Sequence, residues 1–109
     1  MASEPNRGNP EIEIDVDLWS LEVAWVEPPY MVVIHNDSVT TFDFVERLLQ
    51  SMFKKSPDEA AVIAWVTHVY GKALVVVCPQ SEAEKLVRKA IFAARLEGFP
   101  LMLTAEPDE

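Results

Sequence analysis

The chain has 109 residues, half of them apolar, and its 18 acidic and 9 basic residues give a formal net charge of −9. This length favours one domain with a small core, and the acidic excess argues against nucleic acid, whose phosphates require a basic patch. No apolar run reaches the length of a membrane span, and the first residues lack the basic start and apolar core of a signal peptide. We therefore expect a cytoplasmic protein with no nucleic-acid and no membrane partner.

Residues 1–29 form an acidic extension, with seven acidic residues and one basic residue. The first ten residues have the composition of a disordered segment. Residues 11–17 then alternate acidic and β-branched side chains, which is the period of a strand. An apolar segment around Trp19 and Trp25 follows, and it either packs back on the domain or serves a partner. The pair Pro28-Pro29 marks the domain boundary.

The β-branched run Tyr30–His35 predicts a buried strand that opens a core domain of residues 30–105. It breaks at Asn36-Asp37-Ser38, a cluster that favours a turn. Thr40, with Asp43 three residues later, predicts the start of a helix from Thr41 to about Phe53. Polar side chains gathered where a strand meets a helix suit the binding of a small charged group.

A second helix is predicted to begin at Ser56, because Pro57 fits the first helical position and Glu59 completes a capping box. Gly71 is placed to end that helix in the left-handed conformation. A strand over Ala73–Cys78 comes next, in which Cys78, the single cysteine, is predicted to be a buried small hydrophobe rather than a nucleophile. A lone cysteine also excludes an internal disulfide and fits a reducing compartment.

Another capping box, Ser81 with Glu84, predicts a third helix that ends at Gly98. The last strand is predicted over Leu101–Ala105, and residues 106–109 are expected to form a loose acidic tail. The order of elements favours an α+β fold, a compact β-α-α-β-α-β sandwich in which a three-stranded antiparallel sheet packs against three helices.

His68 lies on the second predicted helix and shares a face with Ala64 and Thr67. Spacing alone favours a structural role for a single helical histidine. The chain has two histidines and no Cys/His cluster with ligand spacing, so no metal site is indicated. A hydrolase built from Ser38, His68 and Asp37 is the enzymatic alternative, but the sequence lacks a nucleophile elbow and a glycine-rich oxyanion loop.

Residues 29–104 resemble the ClpS family, which are adaptor proteins of the Clp AAA+ protease. The resemblance is carried by a collinear set of motifs: Asn36-Asp37 followed by Thr40, Phe42 and Phe44-Val45, then His68, Gly71-Lys72-Ala73, Ala83-Glu84 and Pro100-Leu101.

This resemblance implies a non-enzymatic, monomeric adaptor without a cofactor. Such an adaptor binds N-degron substrate proteins, which have a free α-amino group and a bulky hydrophobic first residue. It delivers them to a Clp AAA+ unfoldase of the ClpA or ClpC type. By position, the residues implied to hold the α-amino group are Asn36, Asp37, Ser38 and His68. The implied side-chain pocket consists of Thr40, Phe42, Ala64, Thr67 and Leu101. The residues implied to dock the unfoldase are Glu84 and Lys85.

The chain departs from the family pattern at several positions. Ser38 stands where the family usually has a second aspartate, which is expected to weaken ammonium binding by about 1–3 kcal/mol. Ala64 replaces a common methionine and Thr67 a usual valine, so the pocket is expected to be wider and slightly more polar. Leu86 stands where a lysine is usual on the docking helix. These departures suggest a divergent member with altered specificity, and they leave open a paralogue that keeps the fold but binds another peptide.

Overall fold

The computed structural model describes residues 27–108. The predictions for residues 1–26, namely a disordered start, an alternating strand and an apolar segment with two tryptophans, lie outside the described residues. The described elements, in chain order, are β1 (Pro29–His35), α1 (Phe42–Phe53), α2 (Pro57–Tyr70), β2 (Lys72–Pro79), α3 (Gln80–Leu96) and β3 (Met102–Pro107). The predicted α+β class and its β-α-α-β-α-β order are confirmed.

The sheet has the strand order β2-β1-β3, and both pairs are antiparallel. The first strand is therefore the central one, and Tyr30 faces Cys78 on one side and Pro107 on the other. In β2 the register shifts because Val32 faces Val76 while Val33 faces Leu74. The intervening Val75 is an extra residue, and this bulge increases the local twist of the strand.

The core lies between one face of the sheet and the helices. From the sheet it takes Val32, Ile34 and Leu103, all almost completely buried. From α3 it takes three fully buried alanines, and their small side chains let the helix approach the sheet closely (Ala83, Ala90 and Ala94). Burial of each large aliphatic side chain contributes about 1.5–3 kcal/mol, and the core contains residues of both β1 and α2, so it packs these two elements against each other.

The capping predictions are confirmed for α2 and shifted by one residue for α1. The Ser56 hydroxyl accepts the Glu59 N–H at 3.1 Å, and the Glu59 carboxylate accepts the Ser56 N–H at 2.9 Å. Helix α1 is capped by Thr41, whose hydroxyl accepts the Phe44 N–H at 3.1 Å. The prediction that Thr40 opens this helix is therefore wrong, because the Thr40 hydroxyl donates to a carboxylate of the preceding turn.

The capping box predicted for α3 is also wrong. The helix begins at Gln80, so Ser81 lies inside its first turn and does not cap it. The residue before the helix is Pro79, which makes no capping hydrogen bond with its side chain. Glu27 takes that role from a distant part of the chain, accepting the Ser81 N–H at 2.7 Å and its hydroxyl at 2.9 Å. These hydrogen bonds hold the pKa of Glu27 below its ordinary value. The Glu84 carboxylate instead accepts the side-chain amide of Gln80 at 3.2 Å.

Strand β3 extends two residues beyond the predicted end at Ala105. Glu106 pairs with Met31, Pro107 faces Tyr30, and the Asp108 N–H donates to the Pro29 carbonyl at 3.1 Å. The beginning of the predicted loose tail therefore belongs to the sheet, since β1 begins early enough to offer it partners.

Cys78 is half-buried rather than fully buried, and that burial raises the pKa of its thiol. Within residues 27–108 there is no group of His, Cys, Asp and Glu side chains that could hold a metal ion. No helix in that range combines the length and the apolarity required to cross a bilayer.

Candidate functional site

A cavity of about 680 Å³ opens where β1 ends and α1 begins. Its walls come from the end of β1, the loop that follows it, the first turns of α1, the second helix α2 and the residue before β3. All residues predicted for the α-amino site and the side-chain pocket line this one cavity: Asn36, Asp37, Ser38, Thr40, Phe42, Ala64, Thr67, His68 and Leu101. Residues separated by as much as 65 positions in the chain are thus brought together. Their binding roles stay predictions at this point.

Asp37 shapes the loop at the cavity rim. Its Oδ1 accepts the N–H groups of Val39 at 2.8 Å and Thr40 at 2.7 Å, and its Oδ2 accepts the Thr40 hydroxyl at 2.7 Å. Partial burial raises the pKa of Asp37, but the hydrogen bonds from Thr40 and Val39, together with the charge of Arg95, outweigh it and lower this pKa. The carboxylate is therefore ionised at neutral pH, and Oδ2 can still accept from a ligand.

Gly71 connects the loop to the end of α2. Its carbonyl accepts the Asn36 N–H at 2.9 Å, and its own N–H donates to the Thr67 carbonyl at 2.9 Å. Gly71 has a φ of 92°, the left-handed conformation that ends the helix. Asn36 and His68 are therefore held in a fixed relation by a hydrogen bond that joins their two elements.

His68 lies on the exposed side of the cavity between two aromatic rings. Its ring centroid is 5.2 Å from that of Phe42, with an interplanar angle of 63°, and 5.9 Å from that of Trp65. In the part of the chain that the structure describes, neither His68 nor Ser38 donates or accepts a side-chain hydrogen bond with another residue. No hydrogen-bonded Ser38–His68–Asp37 relay is therefore formed among residues 27–108.

The interior of the cavity is apolar. Ala64, Thr67 and Leu101 are at most 5% exposed, and the Thr67 hydroxyl donates to the Ile63 carbonyl at 2.7 Å. Because the Thr67 hydroxyl hydrogen is bonded to the helix backbone, it is not offered to the cavity. The threonine therefore makes the wall less polar than expected for a threonine in place of a valine. The cavity therefore combines a polar rim with an apolar floor.

Arg95, on α3, holds the chain in place at the floor of the cavity. Its Nη1 donates to the carbonyls of Phe99 at 2.8 Å and Leu101 at 2.9 Å. These bonds fix the irregular segment between α3 and β3, and so they fix Leu101. Nothing in the local sequence signals this contact.

Four further residues line the cavity and were not singled out from the sequence: His35, Val39, Thr41 and Val45. His35 and Val39 flank the Asn36-Asp37-Ser38 turn, whereas Thr41 caps α1 and Val45 lies on it within the Phe44-Val45 motif. His35 is tied to the sheet, since its Nε2 lies 2.8 Å from the Thr104 hydroxyl, which donates to Glu106.

Glu84 and Lys85, the residues predicted for docking, lie on α3 and do not line this cavity. Glu84 is half-buried, whereas Lys85 is exposed beside a groove whose other lining residues are Ser81, Glu82, Leu86, Arg88 and Lys89. Any partner bound there would thus contact a region separate from the cavity.

The amino-acid sequence is similar to those of known proteins. Residues 26–104 match the family described as "ATP-dependent Clp protease adaptor protein ClpS". The Agrobacterium fabrum protein named ATP-dependent Clp protease adapter protein ClpS 2 is 38% identical over 80 residues, covering 73% of this chain and 78% of that protein. The Desulforapulum autotrophicum ClpS adapter is 38% identical over 81 residues, covering 74% and 78%.

A solved structure is also similar. The structure of Agrobacterium tumefaciens ClpS2 bound to L-phenylalaninamide superposes with a TM-score of 0.74 at 35% identity, covering 75% of this chain and 99% of that one.

Proposed function

Because this chain belongs to the ClpS family of ATP-dependent Clp protease adaptors, we propose that it binds proteins by their N-terminal residue and delivers them to a Clp protease. The observation that carries the proposal is the cavity at the β1–α1 junction, with acceptors at its rim and an apolar interior. A bulky hydrophobic first residue with a free α-amino group has both properties that this cavity matches. L-Phenylalaninamide, the ligand of the similar ClpS2 structure, has the same two groups.

The rim supplies what an α-ammonium requires. An ammonium has three N–H donors, and each needs an acceptor once it leaves water. The Asn36 amide oxygen, a ring nitrogen of His68 and the Ser38 hydroxyl belong to residues that line the cavity, and each can accept such a bond. Asp37 provides the negative charge and one further acceptor while its other bonds hold the loop. A charge-assisted bond is about twice as strong as a neutral one, so the carboxylate contributes most.

The interior accommodates the first side chain. Ala64, Thr67 and Leu101 form the buried wall, with Thr40 and Phe42 towards the mouth. The small Ala64 leaves room for a large side chain. An apolar side chain gains about 25 cal/mol for each square ångström removed from water, which favours Leu, Phe, Tyr or Trp as the first residue.

Selectivity for a chain start follows from the rim. An acetylated or internal residue has no ammonium, so its binding would leave Asp37 and the acceptors of Asn36 and His68 desolvated and unpaired. A site built for a polar group discriminates strongly against ligands that lack it.

Delivery would use the other face of the domain. Glu84 and Lys85 on α3 would contact an AAA+ unfoldase of the ClpA or ClpC type, while the acidic extension of residues 1–29 would engage the same partner. Because the two regions do not overlap, a monomer could hold substrate and unfoldase together. The protein would act in the cytoplasm, without a cofactor and without catalysing a reaction itself.

The test is fluorescence anisotropy with a labelled Phe-initiated peptide and its acetylated twin. We expect saturable binding of the free amine only, with a loss of at least about ten-fold in His68→Ala, which corresponds to one charge-assisted hydrogen bond. Tyr70→Ala is the matched control, because Tyr70 is 78% exposed on the same helix and does not line the cavity.

Equal binding of both peptides would contradict the proposal and favour a paralogue with another ligand. Turnover of an ester substrate that disappears in Ser38→Ala would contradict it in favour of a hydrolase.

A further inference from the structure

The outward face of α2 is apolar. Val62, Trp65 and Val69 are 61%, 60% and 48% exposed, and their spacing of three and four residues places them on one side of the helix. We call these three residues the Trp65 stripe. A surface helix normally has polar residues on its outer face, and an apolar outer face indicates a contact with another molecule.

The Trp65 stripe is continuous with the mouth of the cavity. The Trp65 ring lies against His68 at 5.9 Å between centroids, and His68 in turn lies edge-on to Phe42 at 5.2 Å. Phe42 is itself 45% exposed although it lines the cavity. The three rings therefore form a row from the cavity mouth onto the outer face of α2.

We propose that Trp65 forms a subsite for the second residue of the bound N-terminal segment and favours an apolar, above all an aromatic, side chain there. This inference rests on the proposed function, because it assumes that the first residue occupies the cavity. Consecutive Cα atoms are 3.8 Å apart, so an α-amino group held at His68 brings the second residue within reach of the neighbouring Trp65 ring. The three stripe residues carry no charge or hydrogen-bonding group other than the indole N–H, so a charged second side chain gains nothing there.

The size of the effect follows from aromatic packing. An edge-to-face or offset pair of aromatic rings stabilises a complex in addition to the area that it buries. This additional stabilisation changes the dissociation constant by about two- to ten-fold. A Phe-Trp peptide is therefore expected to bind about two- to ten-fold more tightly than a Phe-Ser peptide of otherwise equal sequence.

The experiment measures the dissociation constants of Phe-Trp, Phe-Ser and Phe-Asp peptides and of phenylalaninamide, for the full chain and for Trp65→Ala. We expect Trp65→Ala to remove the preference for Phe-Trp over Phe-Ser while the affinity for phenylalaninamide, which has no second side chain, changes less than two-fold. Trp65→Phe should retain most of the preference because it keeps a ring. Phe92→Ala, a change of an aromatic residue that is 64% exposed on α3, should leave all values unchanged.

Each other outcome overturns the inference. An equal loss of affinity for phenylalaninamide and for both peptides would mean that Trp65 only positions His68. A preference that persists in Trp65→Ala would place the subsite elsewhere, and the absence of any preference in the wild type would mean that no subsite exists. Self-association that Trp65→Ala abolishes would assign the stripe to a second copy of the chain. Failure of the proposed function is distinguishable, since it appears as equal binding of free and acetylated peptides.

Discussion

Replacing Gly71 with alanine tests how the end of α2 supports the site. Gly71 ends the helix at a φ of 92°, and its carbonyl accepts the N–H of Asn36. A Cβ at this position would meet no atom within 4 Å, so steric overlap contributes nothing. The substitution therefore isolates the cost of the left-handed conformation at a residue that touches the candidate site.

The left-handed conformation costs a non-glycine residue about 1–2 kcal/mol of folding free energy. Alanine also lowers the conformational entropy of the unfolded chain, which offsets part of this cost. We expect Gly71→Ala to lower the free energy of unfolding by about 1 kcal/mol and the Tm by about 4–8 °C for a domain of this size. If the backbone shifts to relieve the strain, the Asn36–Gly71 hydrogen bond weakens, and binding of a Phe-initiated peptide should fall about two- to five-fold.

Gly98→Ala is the matched control. Gly98 also has a positive φ, 82°, and a Cβ there would likewise meet nothing within 4 Å, but its N–H donates to the Arg95 carbonyl and not to the loop of the site. Circular dichroism during heating should show a similar loss of stability in both variants, while peptide anisotropy should show the larger loss of affinity in Gly71→Ala, because Gly98 is joined to the cavity only through the segment that Arg95 holds. Unchanged stability in both variants would refute the conformational cost, and equal binding would refute the coupling of Gly71 to the site.

Three further substitutions test the polar contacts of the site. Asp37→Ala removes three accepted hydrogen bonds, so urea denaturation at pH 7 should show a free energy of unfolding lower by about 1–3 kcal/mol. The control is Asp43→Ala, which removes an exposed, ion-paired carboxylate and should lower it by less than about 0.5 kcal/mol. The pKa of Asp37 is lowered from 3.8 in the folded state, so its ionised form stabilises the fold above that pH. The difference in free energy of unfolding between wild type and Asp37→Ala should therefore narrow as the pH falls below 3.8. A difference that stays constant down to acid pH would contradict this. Ser38→Asp adds a carboxylate at the rim and should tighten binding of a free-amine Phe peptide by about 1–2 kcal/mol, measured by anisotropy, whereas an equal gain for the acetylated peptide would show that the carboxylate does not meet the ammonium. Arg95→Met removes the two carbonyl contacts that fix the segment around Leu101 and should lower both stability and Phe-peptide affinity, by about 1–3 kcal/mol in urea denaturation; full affinity in a destabilised variant would show that Leu101 does not depend on this clamp.

The parts of the fold that the sequence predicts well are those with local causes. The start of α2 depends on residues 56–59 alone, and its end depends on Gly71, so both ends are found where they were expected. The side of the cavity formed by the loop also depends on a local pattern, since the Asn36-Asp37-Ser38 turn follows a strand directly.

The errors at α3 and β3 have non-local causes, whereas the error at α1 is local, because the Thr40 hydroxyl donates to Asp37 three residues earlier. Ser81 looks like a cap, but the carboxylate of Glu27, which lies 54 positions earlier in the chain, binds its N–H and hydroxyl, and the helix starts one residue before it. Strand β3 ends two residues beyond the predicted Ala105, because its last pairs depend on where the distant β1 begins. The Arg95 clamp has no sequence signature because its acceptors are backbone carbonyls.

The position of the first described strand at the centre of the sheet has a consequence for synthesis. β1 emerges from the ribosome before every other described element, yet its two hydrogen-bonding edges are completed only by β2 and β3. Until β3 has left the exit tunnel, one row of N–H and C=O groups on the apolar Met31–Ile34 stretch is open to pairing with other chains. A nascent chain interrupted near residue 100 would therefore be exposed to chaperones and proteases in an aggregation-prone form.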